Sequence, residues 1–263
     1  MCWRPYACIH PGRRGVRRDA HHDKNGRTTI QLKDKIALVT GGGRGIGRHI
    51  ALAMASEGAD VVIVARTERE IKPAADEVAA LGRRALAIPT DVSDEASVAA
   101  CLAAAERAFG RVDLLVNSAS VTYIEPLVST SSEHWRRTMD VNVTGAFLMT
   151  RAVLPGMLRR NDGRIVMIAS TAGLEGVPNF AAFSASKFAV IGLTRALAKE
   201  IEESAVTVNA LCPALVGTKG GAPKPARGRK AKPTSDIADV AVFLASEAAR
   251  AVTGAAIEVS WRT

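Results

Sequence analysis

The residues best placed to do chemistry lie in one turn. Thr40-Gly41-Gly42-Gly43-Arg44-Gly45-Ile46-Gly47 follows a β-branched run, Ile36–Thr40, and leads at once into an alanine-rich helical pattern near 45–57. Glycines let a backbone turn sharply, approach a pyrophosphate and pack a helix against a strand. The helix N-terminus adds unpaired N–H groups and a partial positive charge. Gly41, Gly43, Arg44, Gly45, Ile46 and Gly47 therefore read as a dinucleotide grip, because the strand–turn–helix setting lifts the cluster above a chance glycine turn. The next apolar run, Asp60–Ala65, is followed by Arg66 and not by an acid. An acid there would accept hydrogen bonds from the ribose hydroxyls of NAD. Ala65 instead leaves room, and Arg66 with Arg44 can pair with a 2′-phosphate, which favours NADP(H) over NAD(H).

Such a turn needs a sheet behind it. From Lys33 onward, short β-branched runs (36–40, 60–65, 85–89, 112–117, 163–169, 206–211, 255–259) alternate with helical patterns near 45–57, 68–82, 94–108, 133–160, 184–203 and 236–248. Strands alternating with helices imply βαβ units, and right-handed crossovers place helices on both faces of a parallel sheet. The expectation is one doubly wound α/β domain over 32–263, with a mostly parallel sheet of about seven strands. The 263 residues suit a single large domain, and 48% apolar residues with only 4% aromatics predict a core of small aliphatics.

The net charge of +9 is local. Residues 1–31 carry +5 and residues 219–232 carry +6, which leaves the remaining body at −2. Two separate basic segments do not make the contiguous patch that a nucleic-acid surface needs. Residues 1–31 mix Pro, Gly, His and Arg without apolar period, so a disordered basic tail is expected. There is no run of eighteen apolar residues, hence no expected membrane span. Cys2, Cys8, Cys101 and Cys212 form no C-x-x-C pair, so neither a disulfide framework nor a metal site is expected and a reducing cytoplasm is the default setting.

The spacing T-G-x-x-x-G-I-G over 40–47 resembles the short-chain dehydrogenase/reductase family, and further ordered matches extend the resemblance over about 33–260. Thr90-Asp91-Val92 looks like the family's adenine-contacting turn. Val116-Asn117-Ser118-Ala119-Ser120 is similar to its N-N-A-G strand end, with Ser118 and Ser120 as departures. Asp140–Gly145 resembles the segment carrying the active-site asparagine, here Asn142, and Met167–Gly173 the strand carrying the catalytic serine, here Ser170. Phe183-Ser184-Ala185-Ser186-Lys187 stands where the family has Y-x-x-x-K. Cys212–Thr218 resembles the P-G-x-V-x-T loop that cradles nicotinamide, which implies roles for Pro213, Val216 and Thr218. The resemblance implies a Rossmann-type fold, an oxidoreductase, and a set of cofactor contacts at the glycine turn, Arg66, Asp91, Val92, Asn117, Lys187 and the 213–218 loop. Within the family the chain looks most like 3-oxoacyl-thioester reductases, so a small carbonyl or alcohol substrate is implied, free or carrier-linked, in a homo-oligomer.

One family feature is missing. In the resembled mechanism a tyrosine phenol gives a proton to the alkoxide formed by hydride transfer, a lysine lowers its pKa and holds the nicotinamide ribose, a serine polarises the carbonyl and an asparagine keeps a relay water. Asn142, Ser170 and Lys187 are in place, but the tyrosine position is Phe183, thirteen residues after Ser170 and four before Lys187. Phenylalanine has no proton to give, and losing a positioned general acid costs about 10²–10⁴ in rate. Three readings stay open: a weakly active or inactive natural member, a one-oxygen Tyr→Phe change in a competent enzyme, or another donor such as Ser170, Lys187 through water, or Tyr123. The family's apolar lid is replaced at 219–233 by a short basic loop. It reads as a solvated segment or as an attractor for an acidic carrier. The family's D-G-G is absent near the end of the chain, which leaves Trp261 as a candidate interface anchor.

Overall fold

The computed structural model describes residues 31–214 and 234–260. Seven strands carry the architecture: β1 (Ile36–Thr40), β2 (Asp60–Ala65), β3 (Ala85–Pro89), β4 (Leu114–Asn117), β5 (Gly163–Ile168), β6 (Val206–Pro213) and β7 (Ala256–Val259). They form one sheet in the order β3-β2-β1-β4-β5-β6-β7, and every pairing is parallel. The expected mostly parallel sheet is thus parallel throughout the described residues. The helices are α1 (Gly45–Ser56), α2 (Glu68–Ala80), α3 (Glu95–Phe109), α4 (Ser132–Met139), α5 (Gly145–Arg160), α6 (Ala181–Glu200) and α7 (Ser235–Ala245).

Alternate side chains of each strand leave the sheet on opposite faces. Ala37, Val39, Val61, Ile63, Leu114 and Val116 pack with Ile50 and Met54 of α1, Ile71 and Val78 of α2, and Ile237 and Leu244 of α7. Leu38, Val62, Val64, Leu115, Ile165 and Met167 pack with Val98 and Cys101 of α3, Leu148, Val153 and Met157 of α5, and Val190 and Leu197 of α6. Both faces are covered, which is why the strands read as continuous apolar runs. Residues 132–160 and α6 are long and apolar enough, at mean hydropathy 1.2, to pass for membrane spans, but half of each apolar stretch is buried within the fold. That is how core helices of a doubly wound sheet look.

The helical pattern over 133–160 is not one helix. A π-helical turn, Asp140–Thr144, separates α4 from α5. A Cβ on Gly145 would lie 2.6 Å from Cγ2 of Val92, so α5 can begin here only with no side chain. Other differences are at ends. Helix α6 begins three residues before the expected 184. Strand β6 runs on to Pro213 because β7 continues to pair with it as far as Pro213↔Val259. Helix α7 starts at Ser235, one residue before the expected 236, and stops at Ala245 before a 3-10 turn. The basic tail, the lid over 219–233, Val216, Thr218 and Trp261 lie outside the described residues.

The first prediction concerns the α5 start. Gly145→Ala must displace the stiff Val92 side chain, so it should destabilise the protein by about 1–3 kcal/mol in urea unfolding. An unchanged midpoint would show that the helix start has slack.

Candidate active site

In a doubly wound sheet the strand order reverses at one point, and a crevice opens there beyond the carboxyl ends of the strands. Here the reversal lies between β1 and β4. Thr40 closes β1, and its Oγ1 accepts the N–H groups of Ser118 (3.0 Å) and Ala119 (3.1 Å), tying the strand end to the loop after β4. Gly41 follows with φ +64°, and a Cβ there would lie 2.9 Å from the Ala119 backbone. A Cβ on Gly43 would meet the Glu70 carbonyl at 2.8 Å, and one on Gly47 would meet the Gly41 carbonyl at 2.4 Å. These glycines are required by close backbone packing, and the packing is what aims the start of α1. Arg44 precedes that helix in extended conformation, and no side chain caps the first turn. The first N–H groups of α1 are left for an acceptor.

A cleft of ≈ 540 Å³ runs from this turn across the sheet edge. Its lining joins Gly41, Gly43, Arg44, Gly45, Ile46 and Gly47 to Arg66, Asp91 and Val92, then to Ser170, Phe183, Lys187 and Pro213. Residues separated by more than 170 positions in sequence meet in one groove. The glycine cradle, open helix N-terminus and groove volume suit a dinucleotide: the turn would take its phosphates and the Ser170–Lys187 end its reactive ring. Arg66 is exposed, while Nε of Arg44 lies 4.0 Å from the Glu70 carboxylate. Burial raises the pKa of Asp91, but hydrogen bonds from Ser93 and the Arg137 guanidinium outweigh it and hold the carboxyl below the usual range.

Two predicted residues stand behind the groove and not in its wall. Asn117 turns its amide inward, donating to Thr150 Oγ1 at 3.0 Å. It lines a separate void of ≈ 10 Å³ shared with Thr40, Asn142 and Lys187, a volume at the margin for one water. The carboxamide of Asn142 is committed to protein: Oδ1 accepts the Val121 N–H at 2.8 Å, and Nδ2 donates to the Val121 carbonyl and to Ser186 Oγ, both at 3.0 Å. Both amide protons are used, so Asn142 acts first as a clamp on the wall loop after β4.

At the far end, Ser170 leads a 3-10 turn (Thr171–Gly173), and its Oγ accepts the Ala172 N–H at 3.2 Å. Lys187, on α6, is 3% exposed, and Nζ donates to the Ile168 carbonyl at 2.9 Å. A Cβ on Gly173 would lie 2.7 Å from the Lys187 backbone, so this glycine sets how closely the serine turn approaches α6. Burial draws the Lys187 ammonium down to about 8, opposed by a weaker effect of Cys212. Burial also pushes the Cys212 thiol up to about 11. The Phe183 ring lies 5.4 Å from Nζ and packs edge-on against Phe180.

The short chain dehydrogenase family profile matches residues 35–227. The chain belongs to the short-chain dehydrogenase family. It is 41% identical over 189 residues to oxidoreductase UcpA of Salmonella typhimurium, covering 72% of each chain. It is 36% identical over 245 residues to 2-(S)-hydroxypropyl-CoM dehydrogenase 3 of Xanthobacter autotrophicus, covering 87% of this chain and 96% of that one. Among solved structures, a putative short-chain alcohol dehydrogenase of Sinorhizobium meliloti matches with TM-score 0.82 at 34% identity over 88% of this chain and 96% of its own. NAD+-bound xylitol dehydrogenase matches at TM-score 0.81 and 29% identity, covering 87% and 98%. As a short-chain dehydrogenase the protein is an oxidoreductase of a family that binds nicotinamide cofactors.

Several arrangements around this short-chain dehydrogenase cleft carry no signal in the sequence. Glu70 and Ser186 sit in ordinary helical context. Tyr123 stacks on His134, with centroids 3.9 Å apart and planes 6° off parallel, and both Glu125 carboxylate oxygens lie 3.1 Å from His134 Nδ1. No motif spacing links these three; only the loop bringing 123–125 against the start of α4 does.

Two predictions follow from this geometry. Gly47→Ala forces a Cβ onto the Gly41 carbonyl, so nicotinamide dinucleotide binding should weaken more than tenfold by fluorescence titration, with the circular dichroism of the sheet retained. The second concerns pH. Lys187 has a lower pKa folded than unfolded, so the unfolded state binds more protons between about pH 8 and 10.5. The cost of burying its charge is present below pH 8 and is relieved as pH rises through that window. The stability advantage of Lys187→Met over the parent, on the order of 3 kcal/mol near pH 7, should therefore shrink towards pH 10.5. Cys212 runs the opposite way between pH 9 and 11, so the difference between the two proteins is the quantity to read. An advantage that stays constant with pH would refute the buried-ammonium account.

Proposed function

We propose that this short-chain dehydrogenase uses NADP(H) to interconvert a small carbonyl and its alcohol, of the 3-oxoacyl type, with proton delivery impaired by Phe183. The observation that carries the reading is the single cleft joining the glycine turn and Arg66 to Ser170 and Lys187, with the Phe183 ring in its wall beside Lys187. Arg44 and Arg66 would face a 2′-phosphate, the start of α1 the pyrophosphate, and Lys187 the nicotinamide ribose. When bound, the coenzyme supplies or accepts the hydride. Ser170 Oγ would donate to the substrate carbonyl oxygen and polarise it. Phe183 holds no proton, so the alkoxide must draw one from solvent or from another side chain.

Glu70 tempers the NADP(H) preference, because its carboxylate shares Arg44. The 3-oxoacyl assignment is supported by 39% identity over 188 residues to the 3-oxoacyl-[acyl-carrier-protein] reductase of Synechocystis, covering 71% of this chain and 76% of that one. The exposed Trp135, Phe147 and Phe188 on α4, α5 and α6 support a homo-oligomer. Phe183 also favours a second reading: a non-catalytic NADP(H)-binding member serving as a regulatory or hetero-oligomer subunit.

Titration with NADPH and NADH, followed by turnover of a simple β-keto thioester, tests both readings. NADPH should bind more tightly, and Arg66→Ala should weaken NADPH without changing NADH. Phe183→Tyr should raise turnover at least tenfold. Tighter NADH binding overturns the cofactor preference, and no gain from the restored phenol means that proton donation does not limit this protein.

A further inference from the structure

Lys187 is an unusual amine. It is almost fully buried, yet it forms part of the wall of an open cleft. Among the described residues no carboxylate lies within ion-pairing distance, and the hydrogen-bond acceptor it has is the Ile168 carbonyl. Its other close neighbour in the wall is the Phe183 ring, which offers no oxygen. The titratable group acting on it is the Cys212 thiol on β6, kept protonated by burial. Desolvation without a paired anion favours the neutral, nucleophilic amine, and the pKa drawn to about 8 places a usable fraction of it near neutral pH.

We propose that Lys187 is a nucleophile that captures small aldehydes as a reversible imine in the same cleft, in competition with the dinucleotide. The Nζ lone pair forms a bond to the carbonyl carbon, and one amine proton passes to the carbonyl oxygen to give a carbinolamine. The C–O bond then breaks, and the oxygen leaves as water with the second amine proton. Aldehyde and amine become imine and water, with no oxidant or reductant consumed. Ser170, which lines the same cleft, offers a hydroxyl to the carbonyl oxygen in place of its 3.5 Å contact with the Pro213 carbonyl. The capture rests on the cleft admitting a carbonyl compound, as in the proposed function, but needs neither hydride transfer nor a bound coenzyme.

The test uses the full chain without coenzyme, incubated with propanal, quenched with borohydride and mapped by peptide mass spectrometry. The Lys187 peptide should be labelled at least tenfold faster at pH 8 than those of the exposed Lys72 and Lys199. Its labelling should level off above about pH 8. Lys187→Arg, checked for folding by circular dichroism, should lose this label and gain none elsewhere. Saturating NADP+ should suppress it. Labelling of Lys187 no faster than Lys72, or label persisting with coenzyme demonstrably bound, overturns the proposal. If no coenzyme binds yet Lys187 is still labelled selectively, the imine stands and the oxidoreductase mechanism falls.

Discussion

The contact between the Gly47 Cα position and the Gly41 carbonyl is the constraint on which the site depends. A methyl group there would sit 2.4 Å from the oxygen, well inside van der Waals contact. Helix α1 therefore starts directly over the end of β1, and its unpaired N–H groups face the crevice between β1 and β4. Gly41 against the loop after β4, and Gly43 against the backbone of α2, extend the same close packing in two more directions. The turn would retain this geometry with no ligand present, because protein backbone already fills the space that side chains would take. Anion binding then draws on dipoles oriented at no further cost.

The opposite end of the cleft is held by a different device. Asn142 reaches both the N–H and the carbonyl of Val121, and Ser186 links that clamp to the Phe183 carbonyl on α6. Wall loop, π-helical turn and the helix bearing Lys187 thus form one hydrogen-bonded unit. Such a network is stiff because each buried polar group has its partner. It fixes the turn of α6 that bears Phe183 and Lys187 without needing the substrate to do so.

Electrostatics divide along the groove. Arginines line the end where the phosphates would lie, whereas the inner end is apolar and holds one desolvated amine. An ammonium shielded from water and unpaired with carboxylate is costly, and the protein relieves that cost by lowering the lysine pKa. The same burial keeps Cys212 protonated, so the inner end carries little fixed charge near neutral pH apart from Lys187 itself. The phenylalanine ring beside that amine brings no charge, so burial dominates the lysine pKa, opposed by the weaker effect of Cys212.

Strands and the glycine turn were legible in the chain because their signals are local: a β-branched run must be a strand, and a glycine cluster between strand and helix must be a turn. The ordered motifs also brought Ser170 and Lys187 into one expected site, and both line the cleft. The break in 133–160 was not legible, since a single π turn inserted between two α-helices barely disturbs the apolar pattern and Val92, distant in sequence, excludes a side chain at Gly145. Nor was the inward turn of Asn117, the double grip of Asn142 on Val121, or the sharing of Arg44 with Glu70. Local sequence thus determined the elements and the residue types at the site. Tertiary packing decided which of those side chains line the groove, which brace it from behind and how far water is kept from Lys187, because desolvation and hydrogen-bond partners depend on neighbours that the chain brings together only when folded.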